Sequence, residues 1–187
     1  MKITKDTTLE EFVGIVSEQL RKHGIEAVLS GGALAGIYSD GEYRSKDVDM
    51  VTSAGVKQIS AALAEIGFVK GSGRHFYHPA TELIVEFPTA PVFVGSEYVQ
   101  QRVQLDTLGG RITVLSPTDA VKDRLSGYIH WKEASNFEQA RLIAEHRDIN
   151  IAAVVAWAKK ENAPPEVITR IEAMLKAAAK LRARAER

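Results

Sequence analysis

The hydrophobic and polar positions follow two different periods, and the change from one to the other predicts how the chain is organised. A capping-box pattern at Thr8 and Glu11 precedes apolar residues at helical spacing over residues 12–20, which predicts a first helix ending near Gly24. Short β-rich runs and two further helical patterns alternate as far as Ser116. The predicted strands are residues 25–29, 43–53, 68–69, 74–78 and 83–87, with a hairpin over 103–114; the predicted helices are 33–38 and 56–66.

The pattern becomes purely helical after Pro117, where Ser116 or Thr118 can cap a helix. The predicted helices here are residues 117–131, 137–146, 151–160 and 165–185. We therefore predict an α/β (α+β) fold, in which a small mixed β-sheet is flanked by helices and followed by a helical bundle. Residues 1–115 would form the α/β core, and residues 116–187 a helical region packed on that core.

Composition narrows the possible chemistry without choosing a partner. The absence of cysteine excludes disulfides, thiolate zinc sites and cysteine nucleophiles. Lysine plus arginine and aspartate plus glutamate both number 24, so net charge says nothing about nucleic acid. No signal peptide is visible, and the longest apolar stretch, residues 149–158, is too short to span a bilayer. We expect a soluble cytoplasmic protein with no membrane partner.

A strand that ends in two glycines and passes directly into a helix predicts a phosphate-binding turn at Ser30, Gly31 and Gly32. Glycine lets the backbone approach a ligand closely, and the unpaired N–H groups of a helix start attract anions. A Gly-Gly pair alone is common in ordinary turns. The pair therefore indicates a site only in combination with the acidic residues that come later in the chain.

Two carboxylates lie on the next predicted strand. Asp47 and Asp49 share one face because strand side chains alternate with a period of two. Such a pair is most easily retained around a cation, and hard oxygen ligands suit Mg²⁺. Glu86 lies in the otherwise apolar strand 83–87 and is the candidate third carboxylate of a two-metal site. The alternative is an ion pair between Glu86 and Arg74, Arg44 or Lys122.

The order of strand, Gly-Gly turn, helix, Asp-x-Asp strand and carboxylate strand resembles the DNA polymerase beta nucleotidyltransferase superfamily. More narrowly, Ser-Gly-Gly-Ala at residues 30–33 and Arg-Ser-Lys-Asp-Val-Asp at residues 44–49 resemble the small bacterial AbiEii-like toxin group and related uncharacterised nucleotidyltransferases. The likeness covers about residues 25–90. Beyond it, residues 117–124 resemble a segment that brings a lysine, here Lys122, towards the nucleotide, and Arg147 with Asp148 resembles a downstream element.

This resemblance implies an enzyme that moves a nucleoside monophosphate from a nucleoside triphosphate such as ATP to a hydroxyl or phosphate acceptor. Asp47 and Asp49 would bind two Mg²⁺ ions, and Glu86 would bind one of them and could accept the acceptor's proton. Residues 30–32 would hold the triphosphate. The acceptor could be tRNA, a protein or a small molecule, and a toxin–antitoxin setting is one possibility.

Several alternatives stay open from the sequence. Arg74, on the glycine-rich segment 71–74, could bind phosphate or form a surface pair, and Lys122 could face nucleotide or solvent. A catalytically inactive module with this fold is the alternative function. An apolar stripe near the C-terminus is either ordinary core or a surface for a homodimer or an antitoxin. It comprises Ile168, Ile171, Met174 and Leu175.

Overall fold

A computed structural model describes residues 2–185, which form a mixed sheet surrounded by helices. The described helices are α1 Leu9–Lys22, α2 Gly31–Tyr38, α3 Val56–Ala64, α4 Pro117–Trp131, α5 Ala134–His146, α6 Ile151–Lys160 and α7 Pro165–Ala185. The described strands are β1 Val28–Ser30, β2 Asp47–Val51, β3 Val69–Lys70, β4 His75–Tyr77, β5 Ile84–Glu86, β6 Phe93–Val94, β7 Glu97–Tyr98, β8 Arg102–Thr107 and β9 Gly110–Leu115.

Seven of these strands form one sheet in the order β3-β4-β5-β2-β1-β9-β8. The sheet is mixed because β1 runs parallel to β9 and β2 parallel to β5, whereas the other neighbours are antiparallel. The strands β6 and β7 form a separate hairpin that the sequence pattern did not predict. Two-residue strands are too short to show a reliable period in sequence.

Alternation along β2 separates the core from the open face of the sheet. Val48 and Met50 are fully buried, whereas Asp47 is exposed and Asp49 is half-buried on the other side. The first helix covers part of the sheet by packing against β8 and β9. Its predicted capping box is confirmed, since Thr8 and Glu11 bond each other's backbone N–H.

The four predicted C-terminal helices are confirmed, although α5 begins at Ala134 rather than at residue 137. The pair α4 and α5 packs against α2, and α4 also contacts β6 and β9. The division into regions 1–115 and 116–187 stays an interpretation, and its end positions 1, 186 and 187 lie outside the described residues. In this part of the chain, the packing brings α4 beside the strand–helix turn after β1.

The apolar stripe of α7 belongs to the core of the chain. Ile171 and Leu175 are buried, and Ile168 and Met174 pack against the same cluster. This is the ordinary-core interpretation of the stripe rather than a free surface for a partner. Among residues 2–185, no helix combines the length and apolar character needed to cross a bilayer.

Candidate active site

The turn from β1 into α2 requires glycine at its first position. Gly31 has φ of +72°, and a Cβ there would lie only 2.3 Å from Asp49 Oδ2. A side chain would therefore meet both backbone strain and a carboxylate oxygen. Ser30 is the N-cap residue of α2, but its side chain makes no capping hydrogen bond. The sequence predicted that this turn joins a strand end to a helix start, and that placement is confirmed.

The sheet register brings the predicted carboxylates onto neighbouring strands. Asp49 is paired with Ser30 of β1 on one side and with Glu86 of β5 on the other. Asp47 lies two residues from Asp49 on the same face of β2. The predicted shared face of Asp47 and Asp49 is confirmed, and Glu86 flanks it.

The Asp49 carboxyl group titrates at an unusually high pH. Burial, followed by the negative charge of Glu86 and then by the charges of Asp123 and Asp47, raises the pKa of Asp49 to about 6. The positive charge of Arg124 acts in the opposite direction. This environment holds excess negative charge and would be relieved by a bound cation. A strongly perturbed carboxyl beside a glycine turn is typical of a functional site.

The carboxylate of Glu86 lies 3.2 Å from His75 Nε2 across the β4–β5 pair. Arg74, Arg44 and Lys122, the partners considered from the sequence, do not form this pair. The imidazole is oriented by a 3.1 Å contact between His75 Nδ1 and the carbonyl oxygen of Ser72. Glu86 is also 44% exposed at its side chain, so the expected cost of burying its charge is largely avoided.

The two predicted phosphate-binding cations are engaged elsewhere in the structure. The guanidinium of Arg74 donates to the backbone carbonyls of Phe87 and Ala54. The ammonium of Lys122 is buried and lies 3.2 Å from Asp119 Oδ1 and 3.6 Å from Glu97 Oε1.

Asp123 and Arg124 were not predicted from the sequence, yet the fold brings both to the glycine turn. Asp123 Oδ2 accepts a 3.1 Å hydrogen bond from the Gly31 N–H, and Arg124 Nη2 donates to the same oxygen at 2.7 Å. The guanidinium also reaches Asn136 Oδ1 and Gln139 Oε1, each at 3.4 Å. Both residues lie within residues 117–124, which resemble a segment of nucleotidyltransferases, but that resemblance pointed only to Lys122.

The donor set of this face fits a hard cation in its chemistry. Asp47 and Asp49 offer carboxylate oxygens, the ligands that Mg²⁺ prefers, and their mutual repulsion favours a bound cation. Within the described part of the chain, however, no three histidine, aspartate or glutamate side chains gather around one point that could hold a metal. A complete coordination shell here needs oxygens from another molecule, as Mg²⁺ sites commonly take them from phosphates.

A cleft of about 680 Å³ opens beside this face, and Asp123 and Arg124 form their common border. The carboxylates of Asp47 and Asp49 do not line it. Its walls come from the β6–β7 hairpin, from α4 and from the start of α5. The arrangement therefore consists of a carboxylate face beside a glycine turn and, next to it, a separate cleft.

Comparison with known proteins supports the fold. The chain is similar to the crystal structure of an antigenic nucleotidyltransferase-like protein from Paracoccidioides brasiliensis, with a TM-score of 0.59 and 18% sequence identity. The similarity covers 93% of this chain and 94% of that one. No protein-family model matches the sequence, and neither does any curated protein. The predicted α/β fold class is confirmed: this is a nucleotidyltransferase-like fold.

Proposed function

We propose that the chain is a metal-dependent nucleotidyltransferase. The observation that carries the proposal is the position of the Asp49 carboxylate, in contact range of the Gly31 turn and flanked by Asp47 and Glu86. A triphosphate bound at that turn would lie next to the carboxylates. The nucleotidyltransferase-like fold of the similar structure supports the same assignment.

Asp47 and Asp49 would hold Mg²⁺ together with triphosphate oxygens, and Glu86 would join them by leaving His75. The bound cation would offset the negative charge that builds up on the phosphates during transfer. Gly31 and Gly32 would present the backbone N–H groups of the α2 start to phosphate oxygens. For this, the Gly31 N–H must exchange Asp123 for phosphate, and the guanidinium of Arg124 is placed to receive either anion.

The proposed transfer is balanced as a substitution at phosphorus. An oxygen of the acceptor attacks the α-phosphorus, the bond from that phosphorus to the oxygen bridging to the β-phosphate breaks, and pyrophosphate leaves. For a hydroxyl acceptor, the proton passes to a carboxylate, for which Glu86 at the edge of the face is suited once it has left His75. The product carries a nucleoside monophosphate on the acceptor.

The direct test is release of pyrophosphate from each of the four nucleoside triphosphates with Mg²⁺, in the presence of total tRNA, a protein mixture or small hydroxyl compounds. Asp47→Asn and Asp49→Asn should each lower the rate by at least about 100-fold, because each removes a carboxylate that would hold the Mg²⁺ balancing the charge of the phosphates. Asp106→Asn is the matched control, since Asp106 is an exposed carboxylate on β8 paired with Arg111.

Two outcomes separate this function from its alternative. Binding of triphosphate and Mg²⁺ without pyrophosphate release from any acceptor would favour the inactive binding module. Activity that survives in Asp49→Asn would refute the site itself. The narrower AbiEii-like resemblance and a toxin setting stay predictions. They would be supported if expression of the protein arrested growth and Asp49→Asn relieved that arrest.

A further inference from the structure

The cleft beside the carboxylate face has the size of a small-molecule site. Its volume of about 680 Å³ falls within the range of about 300–1,000 Å³ that such sites occupy. It meets the proposed active site at Asp123 and Arg124 and extends along α4 towards Trp131. A helix rises about 1.5 Å per residue, so the eight residues from Asp123 to Trp131 give it a length of about 12 Å.

Two large aromatic side chains flank this cleft while remaining exposed. Trp131 is 70% exposed and Phe93 is 53% exposed, and both line the cleft. The Phe93 ring rests against Tyr98, with the ring centroids 5.8 Å apart. Exposed aromatic rings that converge on one cleft offer flat apolar faces to a ring-shaped ligand.

The hairpin that carries Phe93 is held firmly in place. Trp157, buried under the hairpin, donates its Nε1–H to the Val94 carbonyl at 3.1 Å. The buried carboxylate of Glu161 accepts from the Ser96 N–H at 2.9 Å and lies 3.0 Å from His130 Nε2. The side of the cleft that carries Phe93 is therefore preorganised, which lowers the entropy cost of binding.

The charges along the cleft select the sign of its ligand. Asp123 is neutralised by Arg124 at 2.7 Å. Glu133 accepts a 2.8 Å hydrogen bond from Asn136 Nδ2 but forms no ion pair with any residue of the described chain. One carboxylate is thus left unbalanced at the cleft. It attracts a cation and repels a polyanion such as tRNA.

We infer that this cleft binds the acceptor substrate, a small molecule that carries a ring and a positive charge as well as the attacking hydroxyl. The ring lies between Phe93 and Trp131, and the cation faces Glu133. The role of acceptor rests on the proposed transferase function, whereas the ligand chemistry rests on the cleft alone.

Tryptophan fluorescence gives a direct test, because Trp131 is exposed and Trp157 is buried. Acrylamide should quench Trp131 selectively, and a ligand in the cleft should protect it. The probe is tyramine, which has an aromatic ring, an ammonium group and a hydroxyl; tyrosol, without the ammonium, is its neutral counterpart. In Trp131→Phe the protection signal should vanish, which assigns it to this residue.

Tyramine should protect Trp131 at millimolar concentration and should bind about 2- to 5-fold more tightly than tyrosol. In Glu133→Gln that preference should disappear, and Phe93→Ala should weaken both ligands by about 2- to 10-fold. Equal binding of tyramine and tyrosol to the unaltered protein would overturn the assignment of a cation site.

Three other results would also overturn the inference. The first is that tyramine does not protect Trp131, and the second is that tRNA protects it. The third is that ATP protects Trp131 and tyramine reverses this protection, which would make the cleft a nucleobase site. Tyramine binding should be unchanged in Asp47→Asn, which lies outside the cleft. Failure of pyrophosphate release therefore refutes the transferase function in one measurement, and failure of protection refutes the ligand site in another.

Discussion

Replacing Asp49 with asparagine should stabilise the metal-free protein at neutral pH while removing its proposed activity. The carboxylate is held in a partly buried position next to the charges of Glu86, Asp123 and Asp47. Asparagine keeps the shape of the side chain and removes the charge that this environment disfavours. A substitution that improves stability and destroys activity is the expected behaviour of a strained functional group.

The size of the effect can be worked from the pKa of Asp49, which is raised from 3.8 to about 6. Between these values the folded protein retains a proton that the unfolded chain has released. The free energy of unfolding therefore falls as the pH rises from about 4 to about 6 and stays lower above that window. The full difference corresponds to about 3 kcal/mol, which partial contact with solvent reduces to about 1–2 kcal/mol.

Urea denaturation in the presence of a chelator measures this difference. At pH 7.5, Asp49→Asn should exceed the unaltered protein in unfolding free energy by about 1–2 kcal/mol, and near pH 4 the two should converge. Asp47→Asn is the matched control, because the same change at an exposed position of the same strand should alter stability by less than about 0.5 kcal/mol. Added Mg²⁺ should stabilise the unaltered protein but not Asp49→Asn, and should therefore reduce the difference in unfolding free energy between the two.

A loss of stability in Asp49→Asn at pH 7.5 would show that the surroundings of Asp49 stabilise its carboxylate rather than disfavour its charge. A stability gain of the same size at pH 4 and pH 7.5 would show that charge is not its cause. Either result would refute the electrostatic account of the site.

Three further substitutions test the surrounding structure by the same urea measurement. Gly31→Ala should lower the free energy of unfolding by about 1–2 kcal/mol from the positive φ at this position alone, and the new methyl group should displace the neighbouring carboxylate. Gly32→Ala is its control and should cost less, because Gly32 has a negative φ and a Cβ there would lie 3.2 Å from a serine Oγ. Lys122→Met should cost about 1–2 kcal/mol by leaving two carboxylates without their cation, and equal stability would contradict this pairing. Trp157→Phe should cost about 2–3 kcal/mol through lost packing and the lost hydrogen bond to Val94, and should loosen the cleft wall, visible as faster amide exchange in the β6–β7 hairpin.

The sequence by itself determined the local elements and the side on which each strand places its residues. The capping box at Thr8, the helices after Ser116 and the shared face of Asp47 and Asp49 all depend on spacings of a few residues. Such spacings reflect the periods of 3.6 and 2, which the backbone imposes wherever the element forms. The turn after β1 was predictable for the same reason, because its requirement for glycine is local.

Only the tertiary structure decided which distant residues meet. The parallel pairing of β2 with β5 places Glu86 opposite Asp49, and the antiparallel pairing of β4 with β5 brings His75 to Glu86. Neither register can be read from one strand, since it depends on how both strands bury their apolar faces.

The same reason explains why Lys122 was singled out in place of Asp123. Successive residues on a helix point about 100° apart, so the rotation of α4 in the fold chose which side chain reaches the Gly31 N–H, 92 residues away in the chain. That rotation is set by burial of Val121 and Leu125 against elements from both halves of the sequence. The local sequence thus predicted the carboxylates and the glycine turn of the site, whereas packing decided which other residues lie beside them.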